Sequence, residues 1–557
     1  MSDNKKGDWT KRIGQLTINH RYILFFVISY LSIYFSYIQG GKLYQGHDSD
    51  FHLSRIEALY IAISNGDFFP QITYFLAKGM GYASSIFYSD IFLYPAALLR
   101  LIGFPLGLSY VFYILLVTFF TFVIAYHSFH SITYDKKKSL IFSLLYGLSS
   151  YRIADVVTRG ALGEVLALMV LPIAFAGMIQ IISGDEKKFY ILSIGMASLF
   201  ISHIISTVIF CLFIIGYLIL NIKTLIKDRK RVLYLFYATV LTLLMVAVSV
   251  LPIIEQLTFQ QLKVQSEQIF YLQKSAENLV DYLKSAILNQ GYNNLGWLII
   301  VALLVLLIRI RSLTTQNKQF LVLGIVFLFL ATDYFPHYLF QDTVFNAIQF
   351  PWRYFIIITL CITWALADSF EDILPQKKNT QVVVISCTIF LLLFSSIQYQ
   401  ITGRKDVRFD YDYFSQLDGF NLGAGMEYLP SDMDYVKTLN EISGIFTRSK
   451  EAEISKATRN YNELSFIYRV EKPTKVTFPI IYYKGYDVQL TGSGEISKVE
   501  ESQEFKGLCE VTVSGEGRVR FWYKGTMIQK VSLGISLLTW LSLAGYLIDK
   551  RKKKSAG

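Results

Sequence analysis

The segment YQGHDSDFHLSRIEALYIAISNGDFFP, residues 44–70, brings carboxylates, histidines and an arginine together directly after an apolar run long enough to cross a bilayer. Its two closely spaced aspartates, Asp48 and Asp50, are candidate functional carboxylates, because a carboxylate within a turn or two of the membrane surface can meet a lipid headgroup. The alternative is that one of them only caps the helix that follows, which is a common role for aspartate. Spacing alone leaves both interpretations open.

The residues after this pair predict a helix. Apolar side chains recur at near-helical spacing from Phe51 to Ile63, which indicates an amphipathic helix lying along the membrane interface. His52 and Arg55 would lie on the polar face of that helix, either in contact with substrate or simply in solvent.

Charged side chains also occur at the outer edges of later apolar runs. The stretch YRIADVVTRGALGE places Arg159 and Glu164 at one edge, and AIQFPWRYF places Trp352 and Arg353 at another. Charges at membrane depth are costly, so they are usually functional or paired, and an ion pair between Arg159 and Glu164 that only joins helices is the competing interpretation. His203 interrupts the apolar run LFISHIISTV, where a hydrogen bond between helices is the alternative to a functional role.

The composition indicates the class of protein that carries these residues. Hydrophobic residues make up 53% and charged residues 17% of the 557 positions, and the mean hydropathy is +0.40, which is typical of a membrane protein. The formal net charge of +11 lies in basic clusters beside apolar runs, as the positive-inside rule explains, so no nucleic-acid partner is expected.

The same clusters predict a polytopic α-helical membrane protein with about twelve transmembrane helices and both termini in the cytoplasm. The predicted spans are residues 22–39, 109–130, 139–152, 163–183, 189–203, 205–221, 232–252, 292–310, 320–332, 354–370, 381–398 and 530–548.

The patterns divide the chain into three predicted parts. Residues 1–398 form a transmembrane catalytic module. Residues 399–529, with short alternating segments such as KVTFPIIYYKGYDVQL, form a small β-rich extracytoplasmic domain. Residues 530–557 contain the last transmembrane helix and a basic cytoplasmic tail.

The transmembrane module has two predicted external loops, at about residues 40–108 and 253–290. The second is polar and is expected to be helical at the interface. Within the first, the apolar segment 86–105 carries charged residues and a proline, so it is predicted as a juxtamembrane helix, with a full transmembrane helix as the alternative.

The motifs GHDSDFHLSRIE, RGALGE, SHIIS and QFPWRYF, followed by EYLP and FPIIYYKGY, resemble the bacterial YfhO-like family. They look equally like membrane proteins labelled 6-pyruvoyl-tetrahydropterin-synthase-related, although this chain contains no recognisable soluble pterin enzyme. Both groups are similar to the GT-C class of integral-membrane glycosyltransferases, so the resemblance implies a GT-C-like fold. GT-C members often carry adjacent or DxD-type acids, and the resemblance favours Asp48 over Asp50 as the catalytic one.

The resemblance implies a glycosyltransferase that moves a sugar from a polyprenyl-phosphate monosaccharide to a cell-surface glycan, such as teichoic acid, a wall polysaccharide or a glycolipid. Asp48 would deprotonate the acceptor in a single inverting displacement. Arg159 and Arg353 would stabilise the departing phosphate, because contacts that strengthen as charge develops accelerate the reaction. The other candidate substrate-binding residues are His52, Arg55, Lys78, Glu164, His203 and Trp352. No cofactor is expected, and a divalent metal is not required, although the DSD motif could hold one weakly.

The expected partners are the lipid-linked donor, the glycan acceptor and membrane lipid, with a separate polyprenyl-phosphate sugar synthase and a flippase supplying the donor. The expected location is the plasma membrane of a bacterium, with the active site on the outer side. The competing hypothesis is a transporter or flippase for lipid-linked sugars. The lack of a two-half repeat and the position of the charges on one side argue against it. A structural assembly factor is a third possibility.

Overall fold

The computed structural model describes residues 19–266, 269–373, 378–402, 407–441 and 453–556. The basic residues at positions 5–12, on which the predicted cytoplasmic N-terminus partly depends, lie outside the described residues. Residue contacts divide the chain into two compact units, which are described separately. The first comprises Met1–Asp50, Pro105–Thr242 and Phe270–Ser415, and the second comprises Phe51–Phe104, Leu243–Ile269 and Gln416–Gly557.

The first unit is built from helices, and each apolar run predicted within it to span the membrane contains one. Their bounds are Arg21–Ile33, Leu106–Thr133, Lys136–Gly147, Ser150–Ala154, Leu162–Ser183, Tyr190–Ser202, Ile204–Leu220, Arg229–Met245, Trp297–Ile308, Thr315–Ala331, Phe355–Asp368 and Lys378–Thr402. The polar stretch before Trp297 contributes the shorter helices Leu272–Ser275 and Leu279–Leu288.

Judged by helix length, fewer helices can span the membrane than the sequence predicts. Among the described residues, five helices are long and apolar enough to cross a membrane, and two pairs interrupted by a short break raise the number to seven. A span needs about 20 residues, and several predicted spans correspond to shorter helices. The structure therefore confirms several apolar, membrane-length helices but not twelve spans.

The helix Leu162–Ser183 lies at the centre of the first unit, with 94% of its apolar window buried. It packs closely on Tyr190–Ser202, because Gly177 and Gly195 bring the two backbones together and a Cβ at either position would clash with the other helix. Small residues at helix contacts are the usual means of close packing in membranes.

A short two-stranded sheet fixes the chain where it leaves the first helix. Strand β1, Lys42–Tyr44, pairs antiparallel with β2, Arg408–Asp410. The backbone N–H of Gln45 continues the pairing by donating to the carbonyl of Val407, at 2.8 Å. The acidic motif that begins at Asp48 therefore starts from an anchored segment.

The second unit contains the predicted β-rich region. Its strands within the described chain are β3 Glu453–Asn460, β4 Glu463–Ile481, β5 Tyr486–Gly492, β6 Glu495–Ile496, β7 Glu500–Glu501 and β8 Leu508–Tyr523. They form one antiparallel sheet in the order β3-β4-β8-β5, with β6 and β7 also paired to β8. The long strands alternate buried and exposed side chains, as expected for a sheet with one face packed on a core.

The core of the second unit includes segments far apart in sequence. Buried residues of β4 and β8, such as Phe466 and Phe521, belong to one apolar cluster with Ile72, Tyr82 and Leu262. For this reason residues 51–104 and 243–269 belong with residues 416–557, whereas the sequence division places its boundaries near 398 and 529. Periodicity along the chain reports local structure, and it carries no information on which distant segments share a core.

Two long helices complete the second unit, Ala247–Phe259 and Met527–Ala556. The hydroxyl of Ser536 accepts a hydrogen bond from the backbone of Val248 at 2.9 Å and donates to the carbonyl of Leu244 at 3.2 Å. These bonds satisfy backbone groups at the break that precedes the first of the two helices.

The helix Ser49–Ser64 is not the amphipathic interfacial helix that the sequence predicts. Leu53, Ile56 and Leu59 are fully buried, but His52 and Arg55 are only 3% exposed. The prediction was wrong because buried partners satisfy the polar side chains, so they need not face water. Arg55, for example, donates to the carbonyl of Tyr88 at 2.6 Å.

The segment 86–105 consists of short pieces, Ser84–Phe87, Ile91–Leu93 and Tyr94–Leu101. The longest continuous helical stretch, Ile91–Leu101, would be about 16 Å long at 1.5 Å per residue, far less than the roughly 30 Å of hydrocarbon. The alternative of a full transmembrane helix is therefore excluded.

Candidate active site

The acidic motif lies against the turn that contains Arg159. The backbone N–H of His47 donates to the carbonyl of Thr158 at 3.2 Å, and that of Asp48 donates to the carbonyl of Arg159 at 2.8 Å. The two segments approach closely at glycines, since a Cβ on Gly46 would lie 2.6 Å from the backbone nitrogen of Gly160. Asp48 is thus positioned by main-chain contacts.

The two candidate bases have different surroundings. The carboxylate of Asp50, in the first turn of Ser49–Ser64, accepts hydrogen bonds from Gln45 Nε2 at 2.7 and 2.8 Å. Asp48 is partly exposed, and its carboxylate has no hydrogen bond or ion pair with any residue that the structure describes. Of the two aspartates, Asp48 is thus the one whose carboxylate has no polar partner within the described chain.

A π-helix positions the first arginine. Residues Asp155–Arg159 form one wide turn after Ser150–Ala154, and Gly160 ends it with a left-handed backbone, φ +61°. Single π-helical turns often occur at functional sites. Here the turn places Arg159 Nη1 2.5 Å from Asp155 and 2.7 Å from Glu164, which lies in the first turn of the next helix.

The second arginine contacts the same glutamate. Arg353 Nε lies 3.7 Å from Glu164 Oε2, and its Nη1 donates to the carbonyl of Ile348 and to the side chain of Gln349, both at 2.8 Å. Gln349 has a positive φ of 65°, a conformation that is costly for a residue other than glycine. A strained backbone at Gln349 therefore directs an amide onto Arg353.

The cluster is a buried, charge-balanced group of two acids and two guanidinium groups. Asp155, Arg159, Glu164 and Arg353 are each at most 8% exposed, and the hydroxyl of Tyr151 donates to Glu164. Buried charges persist when they are paired in this way. The Arg159–Glu164 ion pair considered from the sequence is thus present, as part of a larger network.

The network leaves donors unused. The hydrogen bonds of Arg159 and Arg353 within the described chain run through Nη1, and neither Nη2 has a partner there. Asp48 is close enough to interact electrostatically with both arginines. An open carboxylate and two fixed guanidinium groups therefore occupy one site.

His203 lies at the break between two helices and caps the second. Its Nδ1 accepts from the backbone of Ser206 at 3.3 Å and contacts the Ser206 hydroxyl at 2.8 Å. It also interacts electrostatically with Arg353 and Glu164. His203 is thus part of the surroundings of the ion cluster.

Aromatic rings border the site beside Arg353. Trp352 stacks on Phe350 with ring centroids 4.4 Å apart, and Tyr292 packs on Trp352 at 5.1 Å. Tyr292 also lies edge-on to His47 at 6.0 Å.

Three predicted site residues, His52, Arg55 and Lys78, belong to the second unit. Arg55 forms a buried ion pair with Asp90 at 2.7 Å, and His52 packs edge-on against Tyr88. Both side chains are therefore integrated into the packing of this unit.

Lys78 is more accessible. It lies 45% exposed and 2.8 Å from Asp418, and its hydrogen bond lowers the pKa of that carboxyl below the usual value. Ala77 and Lys78 both have positive φ, so this turn carries backbone strain.

Sequence reasoning does not predict Asp155, Tyr151 or Tyr292 as site residues. The stretch YRIADVVTRGALGE places Asp155 at the same membrane edge as Arg159, four residues before it, a spacing at which helical ion pairs are common, but it assigns Asp155 no role. Tyr151 and Tyr292 approach the site only through the fold. The described chain contains no group of three or more His, Cys, Asp or Glu residues that could hold a metal ion.

Comparison with known proteins gives three findings. The family described as bacterial membrane protein YfhO matches residues 66–417. A protein of Lactococcus lactis subsp. cremoris (strain MG1363), described as uncharacterized, is 22% identical over 95% of both chains. The cryo-EM structure of the arabinofuranosyltransferase AftD from Mycobacteria is similar with a TM-score of 0.43 and 12% identity, over 70% of this chain and 27% of that one. This chain therefore spans little more than a quarter of the length of AftD. The family match covers more than half of the sequence, so this chain belongs to the YfhO family of bacterial membrane proteins.

Proposed function

We propose that this protein is an integral-membrane glycosyltransferase of the GT-C type that uses a polyprenyl-phosphate monosaccharide as donor and a cell-surface glycan as acceptor. The observation that carries the proposal is the combination of Asp48, whose carboxylate is unpaired within the described chain, with the fixed guanidinium groups of Arg159 and Arg353. This combination provides a base for an acceptor and a binding site for a phosphate.

In the proposed reaction, Asp48 takes the proton from an acceptor hydroxyl. The acceptor oxygen then forms a bond to the anomeric carbon of the donor sugar. The bond from that carbon to the phosphate oxygen breaks, its electron pair stays with the phosphate, and polyprenyl phosphate leaves. A single displacement of this kind inverts the anomeric configuration.

The arginines would act on the leaving group. Negative charge grows on the phosphate as the bond breaks, and donors already in place stabilise that charge without further reorganisation. Asp155 and Glu164 hold Arg159 through Nη1, and Ile348 and Gln349 hold Arg353. Each arginine therefore has a side chain that is already oriented and an Nη2 without a partner among the described residues.

A membrane protein is suited to a lipid-linked donor. The protein belongs to a membrane-protein family, and a polyprenyl-phosphate sugar is a membrane-bound substrate. Teichoic acid, a wall polysaccharide and a glycolipid are all suitable acceptors under this proposal, with the active site on the outer side of the plasma membrane. A separate synthase and flippase would supply the donor, and because arginines neutralise the phosphate, no metal is required.

Purified protein in liposomes, given polyprenyl phosphate carrying a radiolabelled sugar, tests the proposal. We expect label to move onto added cell-wall glycan, at an unchanged rate in the presence of a chelator. Movement of intact donor lipid between leaflets, without label on the glycan, would instead support the flippase alternative. The same protein with Asp48→Asn is the matched control for non-enzymatic transfer.

A further inference from the structure

The loop between Leu288 and Trp297 is held in place by side-chain amides. Asn289 Nδ2 donates to the carbonyl of Ser395 at 2.8 Å. Asn294 Nδ2 donates to Asn289 Oδ1 at 3.0 Å and its own Oδ1 accepts from the backbone of Gly296, also at 3.0 Å. These asparagines are at most 6% exposed. The loop is therefore a fixed structure and not a flexible connection.

Tyr292 is the aromatic residue at the exposed tip of this loop, where it lies beside the exposed Gln290 and Gly291 and is itself 36% exposed. Its neighbour Asn293 is buried and donates to Glu277, and the carbonyl of Gly291 accepts a hydrogen bond from Tyr399 at 2.8 Å. Residues on both sides of Tyr292 are thus anchored while its ring remains accessible. Such an arrangement presents one aromatic side chain in a defined position.

The position of that ring is beside the residue that precedes the proposed base. Tyr292 lies 6.0 Å from the ring of His47, the residue directly before Asp48. Its other neighbour is Trp352, at 5.1 Å, which is adjacent in sequence to Arg353. Tyr292 therefore connects the part of the site that would deprotonate the acceptor with the part that would bind phosphate.

Trp352, the aromatic neighbour of Tyr292, has an indole N–H without a hydrogen-bond acceptor among the described residues. Its indole Nε1 is buried and has no hydrogen-bond acceptor in the part of the chain that the structure describes, although the ring is fixed by stacking on Phe350. Buried polar groups nearly always have a partner. An oxygen atom of a bound ligand would supply one.

From these observations we propose that Tyr292, with Trp352 behind it, forms the surface on which the sugar ring of the donor packs. The inference rests on the proposed function and assigns the residues that distinguish a sugar-bearing lipid from a bare lipid phosphate. A sugar ring combines an apolar C–H face with peripheral hydroxyls. Sites for such ligands pair aromatic rings with a few placed polar groups.

The test is a binding measurement on the full-length protein in nanodiscs. The probes are decaprenyl phosphate alone and decaprenyl phosphate carrying glucose, galactose or N-acetylglucosamine. We expect at least one sugar-bearing lipid to bind more tightly than the bare lipid. Tyr292→Ala should weaken that binding by roughly three- to tenfold, the scale of one aromatic contact, and leave the bare lipid unaffected. Tyr292→Phe should retain most of the affinity.

Tyr338→Ala is the matched control, because Tyr338 is an exposed tyrosine of the same unit, 56% accessible. The Tyr338→Ala protein should bind every lipid as the wild type does. Equal weakening of all lipids by Tyr292→Ala, or none, would overturn the inference, as would a wild type that binds no sugar-bearing lipid more tightly than the bare one. Binding requires no transfer, so Tyr292-dependent binding without any transfer would contradict the proposed function and leave this inference standing.

Discussion

The backbone N–H of Asp48 donates a hydrogen bond to the backbone carbonyl of Arg159, 2.8 Å away. The proposed base and the first arginine proposed to bind phosphate are therefore held together by the main chain, although they are more than a hundred residues apart. Substitution of either side chain leaves this bond in place. Single substitutions can thus test the chemistry of each group without separating the two segments.

The first prediction concerns the base. Asp48→Asn keeps the size of the side chain but removes its ability to accept a proton, so initial rates of sugar transfer should fall at least ~100-fold, at the low end for loss of a general base. Thermal stability should not change, because the carboxylate has no partner within the described chain. Asp50→Asn is the matched control and should cost less, since Asp50 is already bound to Gln45. A larger loss for Asp50→Asn would reassign the base.

The second prediction concerns the ion cluster. Arg159→Lys keeps the charge but loses the planar group that can hold two acids through Nη1 and a phosphate through Nη2, so the rate should fall by about tenfold or more. The measurement is the rate as a function of donor concentration.

Glu164→Gln should instead destabilise the protein by roughly 3–5 kcal/mol, because it leaves two guanidinium groups facing one acid. If Arg159→Lys transfers sugar at the wild-type rate while Glu164→Gln loses this stability, the cluster only joins helices.

The helices and the sheet could largely be predicted from the sequence, because their signals are local. The apolar run at residues 163–183 predicts a membrane-spanning helix, and the alternation in β4 and β8 predicts strands. The number of spans could not be predicted, since a 13-residue helix such as Tyr190–Ser202 and a full span begin from similar apolar runs. Hydropathy measures composition, whereas crossing a membrane also requires length.

The residues of the candidate site were predictable to the extent that charges in apolar surroundings are costly. Arg159, Glu164 and Arg353 stand out in apolar surroundings, and the structure brings them together. The burial of Arg55 was not predictable, because its partner Asp90 lies 35 residues away. The π-helical turn could not be predicted either. It depends on how the chain continues at Gly160, and the residue types within the turn do not indicate it.

A third prediction tests the close approach that positions Asp48. A Cβ at Gly160 would clash with the hydroxyl of Ser49, and the positive φ of 61° is itself unfavourable for alanine. Gly160→Ala should therefore displace the loop that carries Asp48 and reduce kcat strongly. Gly545→Ala is the control, because a Cβ there meets no atom within 4 Å and alanine favours a helix. Normal transfer by Gly160→Ala would show that the loop does not need this contact.

A fourth prediction concerns pH and the sheet of the second unit. Burial of Glu510 opposes its ionisation, but hydrogen bonds from Lys475, Ser502 and Thr477 outweigh it and lower the pKa. A pKa lowered in the folded state gives stability that is present above the unfolded value, about 4.3, and is lost as pH falls through the folded one. The wild type should therefore lose unfolding temperature between pH 7 and pH 3.

Glu510→Gln is the control for this effect. Because glutamine does not titrate, the variant should be less stable than the wild type at pH 7 and should lose less between the two pH values. An equal loss in both proteins would mean that other carboxyl groups determine the acid sensitivity of the sheet.

The last prediction concerns orientation, on which the choice of donor depends. His47 is exposed and directly precedes Asp48, so in a background lacking the native cysteines His47→Cys should react with a membrane-impermeant thiol reagent added to intact cells. Lys136→Cys is the control that should not react, because adjacent lysines at positions 136–138 favour the cytoplasmic side. Ile102→Cys extends the test to the broken segment 86–105. Ile102 is 72% exposed, and since no helix of that segment is long enough to cross the membrane, its cysteine should be labelled from the same side as His47→Cys. Labelling of His47→Cys only after the cells are opened would place Asp48 in the cytoplasm, where nucleotide sugars are available, and would contradict the proposal of a lipid-linked donor.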